Sequence, residues 1–220
     1  MNILVVAPHP DDETLGCGGT LLKLSQQGAS IHWLIFTEMT ADTGFSPERI
    51  KTRNDEISRV AAAYKFAGVH RLGFATTRLD TIAMRDLVAA AAGVMKAANP
   101  QTMFLPFAGD IHSDHDVVFK TMSACTKSFN YPNVKRVLAY EALSETDFGI
   151  DPANGFRPNS FSDISGTLAE KIRIMEMYAG EMKPFPFPRS VEALRALAAT
   201  RGVVAGCAAA EAFMTLKEIW

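Results

Sequence analysis

The feature that most constrains the fold is an alternation of short apolar runs with longer segments of helical periodicity. Ile3–Ala7 is a continuous, largely β-branched run of the kind that forms a strand buried on both faces. The same reading predicts strands at 31–37, 69–74, 103–107 and 136–143, with helices between them at 14–27, 47–66, 81–98 and 114–129. This order predicts a Rossmann-like, doubly wound α/β fold with a mostly parallel sheet and helices on both faces.

The last third of the chain follows this pattern less closely. Residues 144–162 are rich in turn-forming residues and predict a loop, and the proline-rich stretch 183–188 predicts an extended connector. Residues 208–216 could form a strand or a helix, because periodicity alone does not decide. Two more helices are predicted at 168–178 and 190–201. With no internal repeat and no linker, residues 1–220 are expected to form a single domain.

Charge and composition exclude several classes of function. The formal net charge is −2, and Lys and Arg are scattered, which does not fit a nucleic-acid-binding surface. A small molecule such as a sugar is the better expectation. The apolar runs are too short to span a bilayer or to form a signal peptide, so we expect a cytoplasmic protein without membrane insertion. Three widely spaced cysteines predict neither a disulfide framework nor a thiolate zinc site.

A cluster of polar residues, His9-Pro-Asp-Asp-Glu13, directly follows the first predicted strand. In open α/β sheets, ligands bind outside the carboxyl ends of the strands. A histidine together with two or three carboxylates is a ligand set suited to zinc or another divalent metal. Helix capping is the alternative, since acidic residues are favoured in a first turn, but capping does not account for His9.

A second cluster, Asp110-Ile-His-Ser-Asp-His-Asp116, follows the fourth predicted strand. Its two histidines lie three positions apart, so they share a face if a helix begins there. The two clusters can build one site only if their strands are neighbours in the sheet.

Four segments together resemble the PIG-L/LmbE-like deacetylases, which include N-acetylglucosaminyl-phosphatidylinositol de-N-acetylases and deacetylases of mycothiol and bacillithiol synthesis. Residues Ala7–Glu13 resemble the AHPDDE signature of that family, with Pro8 as an additional residue. His112–His115 resembles its HxDH motif, Arg53–Glu56 an RxxE element, and Ala210–Phe213 a closing AEAF. The first motif is highly specific, and the last two are weak on their own.

The resemblance implies a zinc-dependent enzyme that removes the acetyl group from an N-acetylated amino sugar, such as a conjugate of N-acetylglucosamine. It implies His9, Asp12 and His115 as the zinc ligands, with Fe²⁺ as an alternative metal. Two imidazoles and one carboxylate leave a coordination position open for water, as catalytic zinc requires. Such a metal lowers the pKa of its water towards ~7.

The resemblance also assigns roles around the metal. Asp11 would be the general base, and Arg53 would contact substrate oxygens. His112, oriented by Asp114, would be a second acid or a cation that stabilises the oxyanion. Which of Asp11 and Asp12 binds the metal follows from the resemblance and not from their spacing.

Other interpretations remain open at this stage. Metal-dependent phosphoesterases also use histidine–aspartate clusters, and a non-catalytic metal- or sugar-binding protein is a further alternative. The chain could assemble as a homo-oligomer. Four charged residues near the predicted site edge have no assigned role: Glu13, Arg78, Asp80 and Glu141.

Overall fold

The computed structural model describes residues 1–220 as one seven-stranded sheet flanked by six α-helices. The strands are β1 (Asn2–Ala7), β2 (Ser30–Glu38), β3 (Gly68–Ala75), β4 (Thr102–Pro106), β5 (Arg136–Tyr140), β6 (Ser160–Asp163) and β7 (Ala210–Glu218). The helices are α1 (Asp12–Gln26), α2 (Pro47–Tyr64), α3 (Met84–Ala98), α4 (Ser113–Ala124), α5 (Leu168–Met175) and α6 (Val191–Ala205).

The strand order confirms the doubly wound α/β prediction. It is β3-β2-β1-β4-β5-β7-β6, and the first five strands are parallel. The chain runs outward from β1 to β3, then returns to place β4 on the other side of β1. This reversal creates a topological switch point between β1 and β4, where ligand sites form in such sheets. One hydrophobic core lies beneath α1, α2, α5 and α6, and a second lies beneath α3 and α4.

The structure corrects the prediction in the last third of the chain. Residues 160–162, predicted as the end of a loop, belong to β6 because residues 160–163 pair antiparallel with β7. The undecided segment 208–216 belongs to β7, which is antiparallel to β5. The stretch 183–188 turns rather than extends, since the N–H of Phe187 donates to the carbonyl of Pro184 at 3.1 Å. No α-helix is both long enough and apolar enough to cross a membrane.

Helix α1 is interrupted near its glycines. Cys17 has non-helical dihedral angles, which kinks the helix between Gly16 and Gly18. A Cβ atom on Gly16 would lie 2.1 Å from the ring of Tyr140 in β5. Gly16 therefore allows α1 to approach the sheet closely.

The kink leaves backbone N–H groups without a helical partner, and the last strand supplies one. Glu211 of β7 accepts the N–H groups of Gly19 at 2.8 Å and Thr20 at 2.7 Å. Its carboxylate also pairs with Lys171 of α5 at 2.7 Å. The helix that begins in the first motif is thus held by the closing AEAF segment.

Candidate active site and metal centre

The two histidine–acid clusters meet because their strands are neighbours. β1 pairs directly with β4 in parallel, so the loops that follow both strands leave the same sheet edge. The first cluster turns into α1 and the second turns into α4. The requirement for adjacent strands is therefore met.

Three of the predicted ligands converge at this edge. The ligand atoms of His9, Asp12 and His115 all lie within 4.8 Å of one another. Asp12 Oδ2 is 3.3 Å from His115 Nε2 and 3.5 Å from His9 Nδ1. His115 Nε2 is buried and has no hydrogen-bond partner. A buried nitrogen without a partner is costly, and a metal ion bound by these residues would satisfy it. The donor set of two nitrogens and one oxygen fits catalytic zinc.

Each histidine of the triad is oriented by a carboxylate on its other ring nitrogen. Asp114 Oδ2 lies 3.0 Å from His9 Nε2, and Asp110 Oδ2 lies 2.8 Å from His115 Nδ1. Such partners fix the tautomer of a ligating histidine and raise its basicity. The expected contact between the Asp114 carboxylate and His112 is therefore wrong. Asp110, which contacts His115, is a residue to which the sequence motifs assign no role.

The same contacts shift the pKa values of the triad when no metal is bound. Burial disfavours the His9 imidazolium, but the hydrogen bonds to Asp114 and Asp12 outweigh it and raise the pKa of His9 to about 9. Burial likewise opposes the positive charge of His115, yet Asp12 and Asp110 hold its pKa well above the usual value. Metal binding must therefore displace protons from these imidazoles.

Asp11 lines the cleft together with His9 of the triad. Its Oδ2 accepts a hydrogen bond from Arg189 Nη1 at 2.8 Å, and its backbone N–H donates to Glu13 Oε2 at 3.1 Å. Its φ of 142° lies in a region that side-chain-bearing residues rarely adopt, and such strain clusters at functional sites. Burial raises the pKa of Asp11 to about 7, although Arg189 opposes this shift. A carboxylate with a pKa near 7 is suited to general base catalysis.

His112 enters the same cleft as a neutral hydrogen-bond donor. Its Nδ1 accepts the backbone N–H of Asp114 at 3.1 Å, which leaves the proton of the neutral ring on Nε2. Burial, reinforced by the charge of His9, lowers the pKa of His112 to about 4. The cationic role expected for His112 does not fit these contacts.

Arg53 lines the cleft, where the predicted contact with substrate oxygens would be made, and it also contacts the protein. It is buried, and its guanidinium donates to the carbonyl of Pro10 at 2.6 Å and pairs with Glu181 and Glu56. Its Nη1 and Nη2 each donate one hydrogen bond to the protein, whereas its buried Nε has no hydrogen-bond partner. Arg53 therefore supports the backbone of the first motif, and its contact with substrate stays a prediction.

Glu13 contacts Asp11 and neither of the candidate ligand histidines, His9 and His115. Its carboxylate accepts hydrogen bonds from the hydroxyls of Thr14 and Tyr178, both at 2.6 Å, as well as from the N–H of Asp11. Burial raises the pKa of Glu13 to about 7. The Glu13 carboxylate therefore supports the backbone of Asp11, a role that the sequence did not assign to it.

The remaining charged candidates lie outside the cleft. Arg78 and Asp80 are exposed, and Arg78 donates to the carbonyl of Asp42 at 2.9 Å. Glu141 is buried and paired with Arg201 at 2.8 Å. None of the three residues Arg78, Asp80 and Glu141 lines the cleft.

The cleft has a volume of about 190 Å³ and combines both motifs with residues from distant loops. Glu145, Glu181 and Arg189 line it beside Asp11, and no motif in the sequence marks them. The apolar part of its lining consists of Met39, Phe45 and Ile50, which are partly exposed, and Ile57, which is buried.

The comparison with known families accounts for the combination of these motifs. The family described as PIG-L, GlcNAc-PI de-N-acetylase, matches residues 4–126, which is more than half of the chain. The chain belongs to the PIG-L family. The resemblance seen in the sequence motifs is confirmed, and the matched residues include both histidine–acid clusters.

Individual PIG-L relatives and solved structures extend the similarity beyond residue 126. A diacetylchitobiose deacetylase from Thermococcus kodakarensis is 28% identical over 206 residues, covering 86% of this chain and 71% of the relative. A conserved protein from Thermus thermophilus superposes with a TM-score of 0.80 at 25% identity, covering 100% and 96% of the two chains.

A hydratase shares the same fold. A 4-carboxy-2-hydroxymuconate hydratase from Pseudomonas putida superposes with a TM-score of 0.74 at 18% identity, covering 100% and 98% of the two chains. The PIG-L-like fold therefore serves different reactions, and the activity must be argued from the site.

Proposed function

We propose that this chain is a zinc-dependent deacetylase that removes the acetyl group from an N-acetylated amino sugar within a larger conjugate. The observation that carries the proposal is the triad of His9, Asp12 and His115, whose buried His115 Nε2 has no partner, beside a cleft that presents Asp11 and His112. The deacetylase relative and the family match support the same reaction class.

Different side chains of the cleft serve different steps of amide hydrolysis. Zinc held by the triad would supply Lewis acidity for the activation of water. Asp11, with its pKa near 7, takes the proton of the attacking water and returns it to the departing amine. His112 donates its Nε2–H towards the oxygen that gains negative charge as the amide carbonyl is attacked.

The size and walls of the cleft favour a conjugate over a free monosaccharide. Its volume of about 190 Å³ is below the range of roughly 300–1,000 Å³ for complete small-molecule sites. The cleft therefore encloses the acetamido end of a ligand, and the rest of the ligand extends past the partly exposed apolar side chains of Met39, Phe45 and Ile50.

The ligand arrangement favours amide hydrolysis over metal-dependent phosphoester cleavage. The second group of convergent side chains, His9, His112 and Asp114, shares His9 with the triad. Two separate ligand sets for a two-metal clamp are therefore not provided.

The deciding experiment is release of free amine from a panel of N-acetylated sugars. The panel contains N-acetylglucosamine, N,N'-diacetylchitobiose and a glycoside of N-acetylglucosamine, each assayed with zinc and after thorough chelation. We expect amine release from the larger substrates that stops on chelation and returns with zinc. Activity that survives chelation would refute the zinc requirement, and the absence of amine from every substrate would refute the deacetylase assignment.

Two neighbouring carboxylates provide a matched pair of variants for that assay. Asp11→Asn should retain zinc and lose about 10²–10⁴-fold in turnover, which is the typical contribution of a general base. Asp12→Asn should lose zinc itself. Near-normal turnover in Asp11→Asn would remove Asp11 from the role of base.

A further inference from the structure

Arg189 has more polar partners in the cleft than its neighbours, although it belongs to no sequence motif. Its Nη1 donates to Asp11 Oδ2 at 2.8 Å and to Glu181 Oε2 at 3.0 Å. Its Nη2 donates to Glu145 Oε1 at 3.1 Å, and its Nε donates to Ser144 Oγ at 2.8 Å. Its side chain is only 17% exposed. A guanidinium with these hydrogen bonds can fix the positions of the side chains that it contacts.

The hydrogen bonds of Arg189 leave little capacity for a substrate. A guanidinium carries five N–H groups, and these contacts use four of them. A residue that binds substrate oxygens would instead present free donors to the cleft. The contacts of Arg189 therefore point to a role through other residues, and Asp11 is the partner with assigned chemistry.

The backbone around Arg189 is well anchored for such a role. Pro188 precedes it with a restricted φ angle, and Ser190 follows it as the N-cap of α6. The buried Ser190 hydroxyl accepts the N–H of Ala193 at 3.1 Å. The guanidinium thus extends from the fixed start of a helix.

Asp11 is a residue that needs such support. Its backbone is strained, with a φ of 142°, and its backbone N–H donates a hydrogen bond to the Glu13 carboxylate. Without the hydrogen bond from Arg189, the Asp11 carboxylate could rotate away from the water that it must deprotonate. Misplacement of a catalytic group by about 1 Å can reduce a rate by 10²-fold.

We propose that Arg189 is a positioning residue that holds the Asp11 carboxylate in its catalytic orientation. The inference rests on the proposed deacetylase function for its kinetic consequence. Lysine cannot replace Arg189, because an ammonium group is a point charge and lacks the planar fork that meets several acceptors at fixed angles.

The kinetic test compares Arg189→Met and Arg189→Lys in the full-length, zinc-loaded protein. We expect kcat to fall by about 10²-fold in both variants, with KM and zinc content near those of the parent. In an Asp11→Asn background, Arg189→Met should cause little further loss. An equal loss in both backgrounds, or a raised KM with unchanged kcat, would overturn the proposal.

A folding measurement tests the contact independently of the activity. Urea unfolding of the parent, Asp11→Asn, Arg189→Met and the double variant gives the coupling between the two side chains. Arg189→Met should lower the folding equilibrium constant by a certain factor when Asp11 is present. In the Asp11→Asn background that factor should be smaller by about threefold or more. Arg201→Met is the matched control, because Arg201 makes a two-bond ion pair with Glu141 outside the cleft and should act additively with Asp11→Asn.

The two readouts separate the possible failures. If the parent protein hydrolyses no amide, the deacetylase proposal fails, and the folding cycle still decides whether Arg189 holds Asp11. If the parent is active but the cycle shows no coupling, the positioning role is refuted while the proposed function stands.

Discussion

Replacement of Asp110 by asparagine tests how the second cluster supports the metal site. Asp110 is fully enclosed, and its Oδ2 lies 2.8 Å from His115 Nδ1 while its Oδ1 accepts the hydroxyl of Thr146 at 2.6 Å. Asparagine keeps the volume and one acceptor oxygen but removes the negative charge. Charged hydrogen bonds contribute about 1.5–3 kcal/mol, roughly twice the value of neutral ones.

We expect zinc binding to become about 10–100-fold weaker, because mutation of the hydrogen-bond partner of a ligating histidine typically lowers metal affinity by this factor. That range corresponds to about 1.4–2.7 kcal/mol. A competition titration against a fluorescent zinc chelator measures it at constant pH. Asp116→Asn is the control, since Asp116 follows His115 in α4 but pairs with Lys120 at the surface. If Asp110→Asn bound zinc as tightly as the control, the assigned support of His115 would be wrong.

Three further predictions concern pH and packing. Because the pKa of His9 is raised to about 9 in the metal-free protein, zinc affinity should rise with pH up to that value, with proton release visible by calorimetry in buffers of different ionisation enthalpy. Glu211→Ala should destabilise the fold by about 3–5 kcal/mol in urea unfolding, since it leaves a buried cation unpaired, whereas the part-exposed Glu218→Ala should cost under about 1 kcal/mol. Gly16→Ala should cost about 1–3 kcal/mol because the new Cβ meets an aromatic ring, while Gly93→Ala, with open space around it in α3, should stabilise by up to about 1 kcal/mol.

The parallel half of the fold could be predicted because its signals are local. Apolar runs such as Ile3–Ala7 and helix signals such as Ser46-Pro47 act within a few residues, and the structure places β1 and α2 accordingly. β6 was missed because four residues with partial burial carry no periodic signal, and their pairing with β7 is set by tertiary contacts. Segment 183–188 was misread because proline restricts φ but does not decide between a turn and an extended chain.

The candidate site divides in the same way. The family resemblance predicts His9, Asp12 and His115 as ligands, and the structure brings them together because their motifs follow two strands that are neighbours in the sheet. Arg189 and Glu181 were missed because they reach the cleft from loops far along the chain, and their sequence surroundings give no sign of the distance to Asp11. Short sequence motifs indicate candidate metal ligands. The side chains that orient the residues of the cleft come from distant parts of the chain, so only the three-dimensional packing shows them.

The contact between Glu211 and the kink of α1 also has a consequence for the order in which the protein is made. The two partners lie 192 residues apart, and Gly19 emerges from the ribosome long before Glu211 is synthesised. A growing chain can pair β1 with β4, but the Gly19 and Thr20 N–H groups of the helix that carries Asp12 lack their carboxylate acceptor until Glu211 of β7 docks. We therefore expect high-affinity zinc uptake to be among the final events of biosynthesis, so that a stalled or truncated chain holds the metal poorly.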